Sequence, residues 1–146
     1  MRILKNERGQ ALLEAAMTLP LLLLVSVSIF EFGRAYQTWQ VLTNAAREGA
    51  RVAVLPSATA DDVKARVSAY MTSGQLSNAG SATVNVDMTQ TIDLGGGKSA
   101  KASLVTVNYP FQFIVLHPIA LLFSQSSTMG NDITMSTSAE MRNENQ

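Results

Sequence analysis

From Gln10 to Phe30 the chain runs 21 residues with Glu14 as the single charged side chain. As a helix that stretch is about 31 Å long at ~1.5 Å per residue, matching the ~30 Å hydrocarbon core of a bilayer. Its centre, Leu19-Pro-Leu-Leu-Leu-Leu-Val-Ser-Val-Ser-Ile-Phe30, is apolar on all sides. So small a chain offers too little other structure to bury such a helix, so the pattern predicts a membrane span. Pro20 removes one backbone donor and should kink it, which membrane helices tolerate when neighbouring groups satisfy the freed carbonyl. A cleaved secretory signal would need a small-x-small site after the apolar run. Here Glu31-Phe-Gly-Arg34 follows instead. Arg2, Lys5 and Arg8 against Glu7 leave a net +2 before the span. That balance predicts a cytoplasmic N-terminus and export of residues after about 31.

Beyond the span the periodicity stays helical to about Leu55. Phe32, Ala35/Tyr36, Trp39, Leu42, Ala46, Gly49 and Ala53 recur at three- and four-residue intervals, the mark of a one-sided helix. Tyr36 and Trp39 lie past the span and are expected in the core rather than at the membrane interface. Ala45, Ala46, Gly49, Ala50 and Ala53 form a small-residue face that a partner backbone can approach closely. Glu48 and Arg51 should make an ordinary exposed pair, and Pro56 should end the element. Thr59-Ala-Asp-Asp62 reads as a capping box opening a second helix, with Val63, Val67 and Tyr70/Met71 as its stripe and Gly74 as its stop. The period then switches to two. Val84, Val86 and Met88 form one alternating run, Val105, Val107, Tyr109 and Phe111 a second, and Ile133, Met135, Thr137 and Ala139 a third. These predict half-buried strands, the first two joined through Gly95-Gly-Gly97. Phe113–Phe123 is too short to span and contains Pro118. It is expected to be a buried short helix or cover segment, with membrane-surface or subunit contact as the alternative. The fold class is therefore α+β: a long N-terminal transmembrane and amphipathic helix, and a second helix, packed on an antiparallel sheet of about three strands.

Composition narrows the chemistry. Charged residues make up 15% of the chain, below the ~25% usual for soluble domains, and much of the deficit lies in the span. Eleven basic and eleven acidic residues balance, which argues against a general nucleic-acid binder. There is no cysteine, hence no thiolate nucleophile, and a single histidine, His117, which excludes a multi-His metal site. His117 precedes a proline inside an apolar run and reads as structural. Gly97-Lys98-Ser99 resembles the end of a phosphate-binding loop, but Ile92 stands where its first glycine belongs and a strand follows. Asp61 and Asp62 suit a helix start. Ser124–Asn131 is a polar loop with no specific signature. Nothing here assembles a catalytic centre. No enzyme activity, cofactor, metal or small-molecule substrate is expected.

Glu14 remains. An acid at the centre of a membrane helix costs ~2.5–3.5 kcal/mol, and less near an end. It either reaches up to the headgroups or finds a positive partner when subunits pack together. The string Arg8-Gly-Gln-Ala-Leu-Leu-Glu14 resembles the processing site of type IV pilin-like proteins of the Flp/Tad class. There a basic leader ends in Gly, a prepilin peptidase cuts after it, and a Glu lies fifth in the mature chain. Cleavage after Gly9 would make Gln10 the first residue and Glu14 the fifth. Major Flp pilins carry Tyr after that Glu, where this chain has Ala15, and they are much shorter. Both departures point to the pseudopilin branch. Glu31-Phe-Gly-Arg-Ala-Tyr36 and Leu42-Thr-Asn-Ala-Ala-Arg-Glu-Gly-Ala-Arg51 look like the TadE-like domain, and Ser138–Glu144 has a similar flavour.

The resemblance implies a pilin-like fold and a division into a basic leader at 1–9, a membrane helix at 10–30 and an exported domain at 31–146. It implies a minor pilin or pseudopilin of a Tad/Flp pilus, anchored once in the inner membrane. Its partners would be the membrane, the other pilins of the system and the prepilin peptidase. Cleavage would free the amine of Gln10 one helical turn from Glu14, and the carboxylate would pair with that amine in its own or a neighbouring subunit. It would also remove three of the basic residues and one acid, leaving 8 against 10. The competing reading is an exported ligand-binding or enzymatic domain for which the helix is a tether.

Overall fold

The computed structural model describes residues 7–123, 128 and 130–143. Arg2 and Lys5 of the basic leader, most of the polar loop after Phe123, and Glu144 lie outside the described residues. The element order is α1 (Glu7–Ala53), α2 (Ala60–Ser73), β1 (Thr83–Gly95), β2 (Lys98–Phe111), α3 (Leu116–Phe123) and β3 (Ile133–Arg142), with a short 3-10 turn at Ala79–Ser81. The fold is α+β: a long apolar N-terminal helix, a second helix and a three-stranded antiparallel sheet in the order β1-β2-β3. The chain forms two compact units, one of Met1–Arg34 with Phe113–Gly130, the other of Ala35–Gln112 with Asn131–Gln146.

In the larger unit the sheet is built by the three alternating runs in register. Val84 pairs with Val107 and Val107 with Thr137, while Val86 pairs with Val105 and Val105 with Ala139. One face therefore carries a continuous apolar ladder, and Val105, Val107, Tyr109 and Phe111 are buried on it. The β1–β2 turn runs through Gly95, Gly96 and Gly97, all with positive φ, a conformation glycine adopts without steric cost. Between Asp87 and Gln90 two residues of β1 oppose Ser103 alone, making a β-bulge. Asp87 holds it, accepting from the Thr89 amide at 2.8 Å, the Thr89 hydroxyl at 2.7 Å and Gln90 Nε2 at 2.8 Å. These donors, the Thr89 hydroxyl first, keep the Asp87 carboxyl below its ordinary pKa.

The second helix starts as its residues direct. The Thr59 hydroxyl accepts from the Asp62 amide while the Asp62 carboxylate accepts from the Thr59 amide, a complete capping box. Val63, Val67 and Met71 are buried, and the Gly74 amide closes the last turn on the Tyr70 carbonyl at 2.9 Å. The part of α1 in this unit meets that stripe through its small residues. Leu42, Ala45, Ala46, Ala50 and Ala53 are buried. A Cβ placed on Gly49 would lie 2.5 Å from Val67 and 3.2 Å from Val105, so helix, helix and sheet converge at this glycine. Ser103 on β2 donates toward the Ala53 carbonyl at 3.3 Å and lies 3.0 Å from Asn143 Oδ1, supplying a partner to the helix end.

Two expectations need correction. Tyr36 and Trp39 are exposed, at 65% and 43%, rather than in the core. The buried stripe passes through Thr38 instead, one residue and about 100° round the helix. The close approach made possible by the small residues leaves no room there for an indole. Tyr36 keeps its hydroxyl satisfied on the surface, accepting from Gln40 Nε2 at 2.7 Å. The 113–123 run does form a short helix, over Leu116–Phe123, but none of its described side chains is buried. Ile114 is 59% and Leu121 39% exposed. Among the described residues its compact unit offers one long helix besides the segment itself, too little chain to cover it.

Candidate assembly site

The first turns of α1 place Gly9, Gln10 and Glu14 on exposed helix, with Gln10 and Glu14 one turn apart. No hydrogen bond or ion pair joins the Glu14 carboxylate to another described residue. Its backbone carbonyl accepts from the Thr18 hydroxyl at 3.0 Å. Ser26 and Ser28 likewise donate back to the Leu22 and Leu24 carbonyls at 2.8 Å. Each hydroxyl in the apolar stretch is thus satisfied within the helix, as a low-dielectric environment demands.

Around these residues the helix is bare. Leu12, Leu13, Met17, Leu19 and Leu21 to Val25 are between 44% and 74% exposed. Gly9–Ala53 is the one helix among the described residues long and apolar enough to cross a membrane. An apolar surface of this extent is far beyond what soluble monomers expose. It suits single-pass membrane anchoring.

At the far end of the span lies a residue to which the sequence reading assigned no role. Glu31 stands in the sequence as the polar end of the apolar run and the start of the TadE-like string 31–36, and it is 1% exposed. One carboxylate oxygen accepts the Val115 amide at 2.6 Å and the other accepts Arg34 Nη1 at 2.8 Å. Both partners belong to the same compact unit. A buried carboxylate that receives a backbone N–H and a guanidinium is tolerable where an orphan would not be. The sequence signal available was a lone acid at the boundary of an apolar helix with Arg three residues on. Its other partner, the Val115 amide 84 positions away, leaves no local trace.

The small-residue face is occupied by the chain's own α2 and sheet, as the Gly49 geometry shows. Glu48 at its edge is more than half of an exposed local pair. It accepts from Arg66 of α2 at 2.7 and 3.2 Å, and from Arg51 at only 3.4 Å. Arg66 is the main reason its carboxyl sits below its ordinary pKa. Asp62 is lowered in the same direction, by the Thr59 hydroxyl first. Asp61 pairs loosely with Lys64 at 3.6 Å. His117 Nδ1 is buried with no hydrogen-bond partner among the described residues, and its backbone meets Gly130, where a Cβ would lie 2.6 Å from the His117 amide nitrogen. Lys98 and Ser99 open β2 rather than a helix. Among the described residues no group of three or more His, Asp or Glu gathers as a metal site.

These features define a class: an α+β protein with one N-terminal helix long and apolar enough for single-pass membrane anchoring, whose notable residues lie along that helix rather than around a cavity. Within that class, residues 9–51 match the family described as TadE-like protein. The match starts at the glycine of the proposed processing site and ends two residues before the end of α1. The similarity covers 43 of the 146 residues. No curated protein and no solved structure matches the chain significantly.

Proposed function

We propose that the chain is a minor pilin or pseudopilin of a Tad/Flp pilus, acting in its assembly and so in adhesion or secretion. It is made with a basic leader, held once through the inner membrane with its N-terminus in the cytoplasm, and trimmed after Gly9 by a prepilin peptidase. Its exported α+β domain meets other pilins or pseudopilins of the same system. The observation that carries this reading is the TadE-like match over residues 9–51 on a helix whose apolar side chains stand exposed around Glu14. A mere tether needs an apolar helix, but it has no use for a glycine and a carboxylate five residues apart at its start.

In this reading Glu14 sets register. Once Gly9 is removed, the new amine of Gln10 and the Glu14 carboxylate lie one turn apart on the same helix. When helices pack side by side, a carboxylate in hydrocarbon is stabilised where a cation from a neighbour reaches it. N-terminal sequencing of the membrane-purified protein, with and without the peptidase, tests the processing step. A start at Gln10 only when the peptidase is present is expected. A chain still starting at Met1, or starting beyond Phe30, overturns the reading. Glu14→Ala should be cut normally yet fail to assemble. Normal assembly of that variant would remove Glu14 from the mechanism.

A further inference from the structure

We propose that the Ile114–Leu121 segment lies in the membrane interface, in the leaflet where the α1 span ends, and that Glu31 holds it there. This rests on the membrane reading of residues 10–30. The placement follows from a bond inside one compact unit. The Val115 amide donates to Glu31 at 2.6 Å, and Glu31 follows directly on Phe30, the last residue of the apolar run. The segment is therefore pinned at the level where the helix leaves the hydrocarbon.

Its chemistry suits that level. No Asp, Glu, Lys or Arg occurs between Lys101 and Asp132. Ile114 and Leu121 present 59% and 39% of their surface outward. On α1 at the same level Ile29, Phe30 and Phe32 are 70%, 57% and 66% exposed. Through Val115 the segment is thus tied to α1 beside these exposed apolar residues, which are continuous with the membrane helix. A short apolar helix lying in the interface buries its side chains ~5–10 Å into the headgroup–acyl boundary without having to span. His117, whose buried Nδ1 has no hydrogen-bond partner among the described residues, sits in the same segment. Glu31 itself is shielded at 1% exposure, a burial that Arg34 and the Val115 amide make tolerable.

The absence of cysteine makes the test direct. Leu22→Cys, Ile114→Cys and Leu121→Cys in the full chain each carry one environment-sensitive fluorophore. They are reconstituted in phosphatidylcholine–phosphatidylglycerol vesicles holding nitroxide lipids labelled either near the headgroup or deep in the acyl chain. The label at 22 should be quenched best by the deep nitroxide. Those at 114 and 121 should lose at least about twofold in intensity with the shallow nitroxide, as expected for interfacial depth, and less with the deep one. Glu31→Ala should weaken the shallow quenching at 114, whereas Glu31→Gln, which keeps an acceptor oxygen, should not; equal quenching in both would remove Glu31 as the anchor. Quenching at 22 together with iodide-accessible, lipid-insensitive labels at 114 and 121 overturns the proposal while sparing the membrane span. Labels at 114 and 121 shielded from both iodide and lipid overturn it in favour of a protein partner. An unquenched label at 22 overturns the membrane reading itself.

Discussion

Gly49→Ala adds one methyl where three elements meet, and the structure says which effect wins. The new Cβ would stand 2.5 Å from Val67 Cγ2, 3.2 Å from Val105 Cγ1 and 3.5 Å from Val63 Cγ1. Carbon atoms rest at about 3.5–4.0 Å, so the nearest contact is at least about 1 Å too close. All three neighbours are valines, and two sit on a helix where valine has essentially one comfortable rotamer, so none can swing aside cheaply. Overpacking of this kind costs about 1–3 kcal/mol. Against it stands the higher helix propensity of Ala, about 1 kcal/mol. The net expectation is a destabilisation of about 1 kcal/mol, or about 4–8 °C in Tm for a domain of this size. The assay is thermal unfolding of the detergent-solubilised chain, followed by near-UV circular dichroism. Gly33→Ala serves as the control, since nothing lies within 4 Å of a Cβ there and only the propensity gain applies. In a Val67→Ala background the Gly49→Ala penalty should disappear, a coupling that marks the two sites as touching. A Gly49→Ala variant as stable as Gly33→Ala in the wild-type background would refute the packing argument.

Ser103→Ala removes the hydroxyl donor from the buried Ala53 carbonyl, and should cost about 1–3 kcal/mol in chemical denaturation. Ser138→Ala, on an exposed position of β3, should cost little. The Glu48 carboxyl is held below its ordinary value of 4.5, so its contribution is present above that pH and fades as pH falls through the folded-state value. Because Arg66 is half exposed, the contribution is only ~0.2–1 kcal/mol, and Arg66→Ala should flatten the acid limb of a stability–pH curve by that amount. Thr59→Ala removes the hydroxyl that accepts from the Asp62 amide, and hydrogen exchange at that amide should accelerate while the sheet amides keep their protection.

What the sequence made legible was whatever repeats locally. The apolar span, the Thr59–Asp62 cap, the Val63–Val67–Met71 stripe and three strands of period two each declare themselves within a dozen residues. Those strands also fall into register, because the residues of each apolar face must align to share one core. The failures share one cause: they depend on neighbours distant in sequence. Periodicity fits Trp39 and Leu42 on one face equally well as Thr38 and Leu42. Only the tight seat of Gly49 against Val67 and Val105 decides between them. Glu48 shows an obvious partner at Arg51, while its stronger one, Arg66, lies on the next helix. The 113–123 run is apolar enough for a core, but its own unit lacks the chain to provide one.

Glu31 and Glu14 bracket the same apolar stretch, and their contrast bears on the proposed assembly role. Both are carboxylates on a helix of otherwise exposed aliphatic side chains, and both face the same energetic demand for a cation or donors in a low-dielectric setting. Glu31 meets it within the chain, through Arg34 and the Val115 amide, and becomes buried. Glu14 meets it with no described residue and stands exposed among leucines. Nearness to a membrane boundary is not what separates them, since each lies within two turns of one end of the span. The difference is that a returning segment of the same chain reaches Glu31. If Glu14 acts in assembly, its counter-charge has to come from the processed N-terminus of its own or a neighbouring subunit. Where that amine belongs to a neighbour, the pairing reports the assembled state in a way that the Glu31 pair does not. Charge-neutral Glu14→Gln should therefore leave the folded monomer's stability unchanged and impair only lateral association. Glu31→Ala should instead destabilise the monomer, because it leaves the Val115 amide without its acceptor.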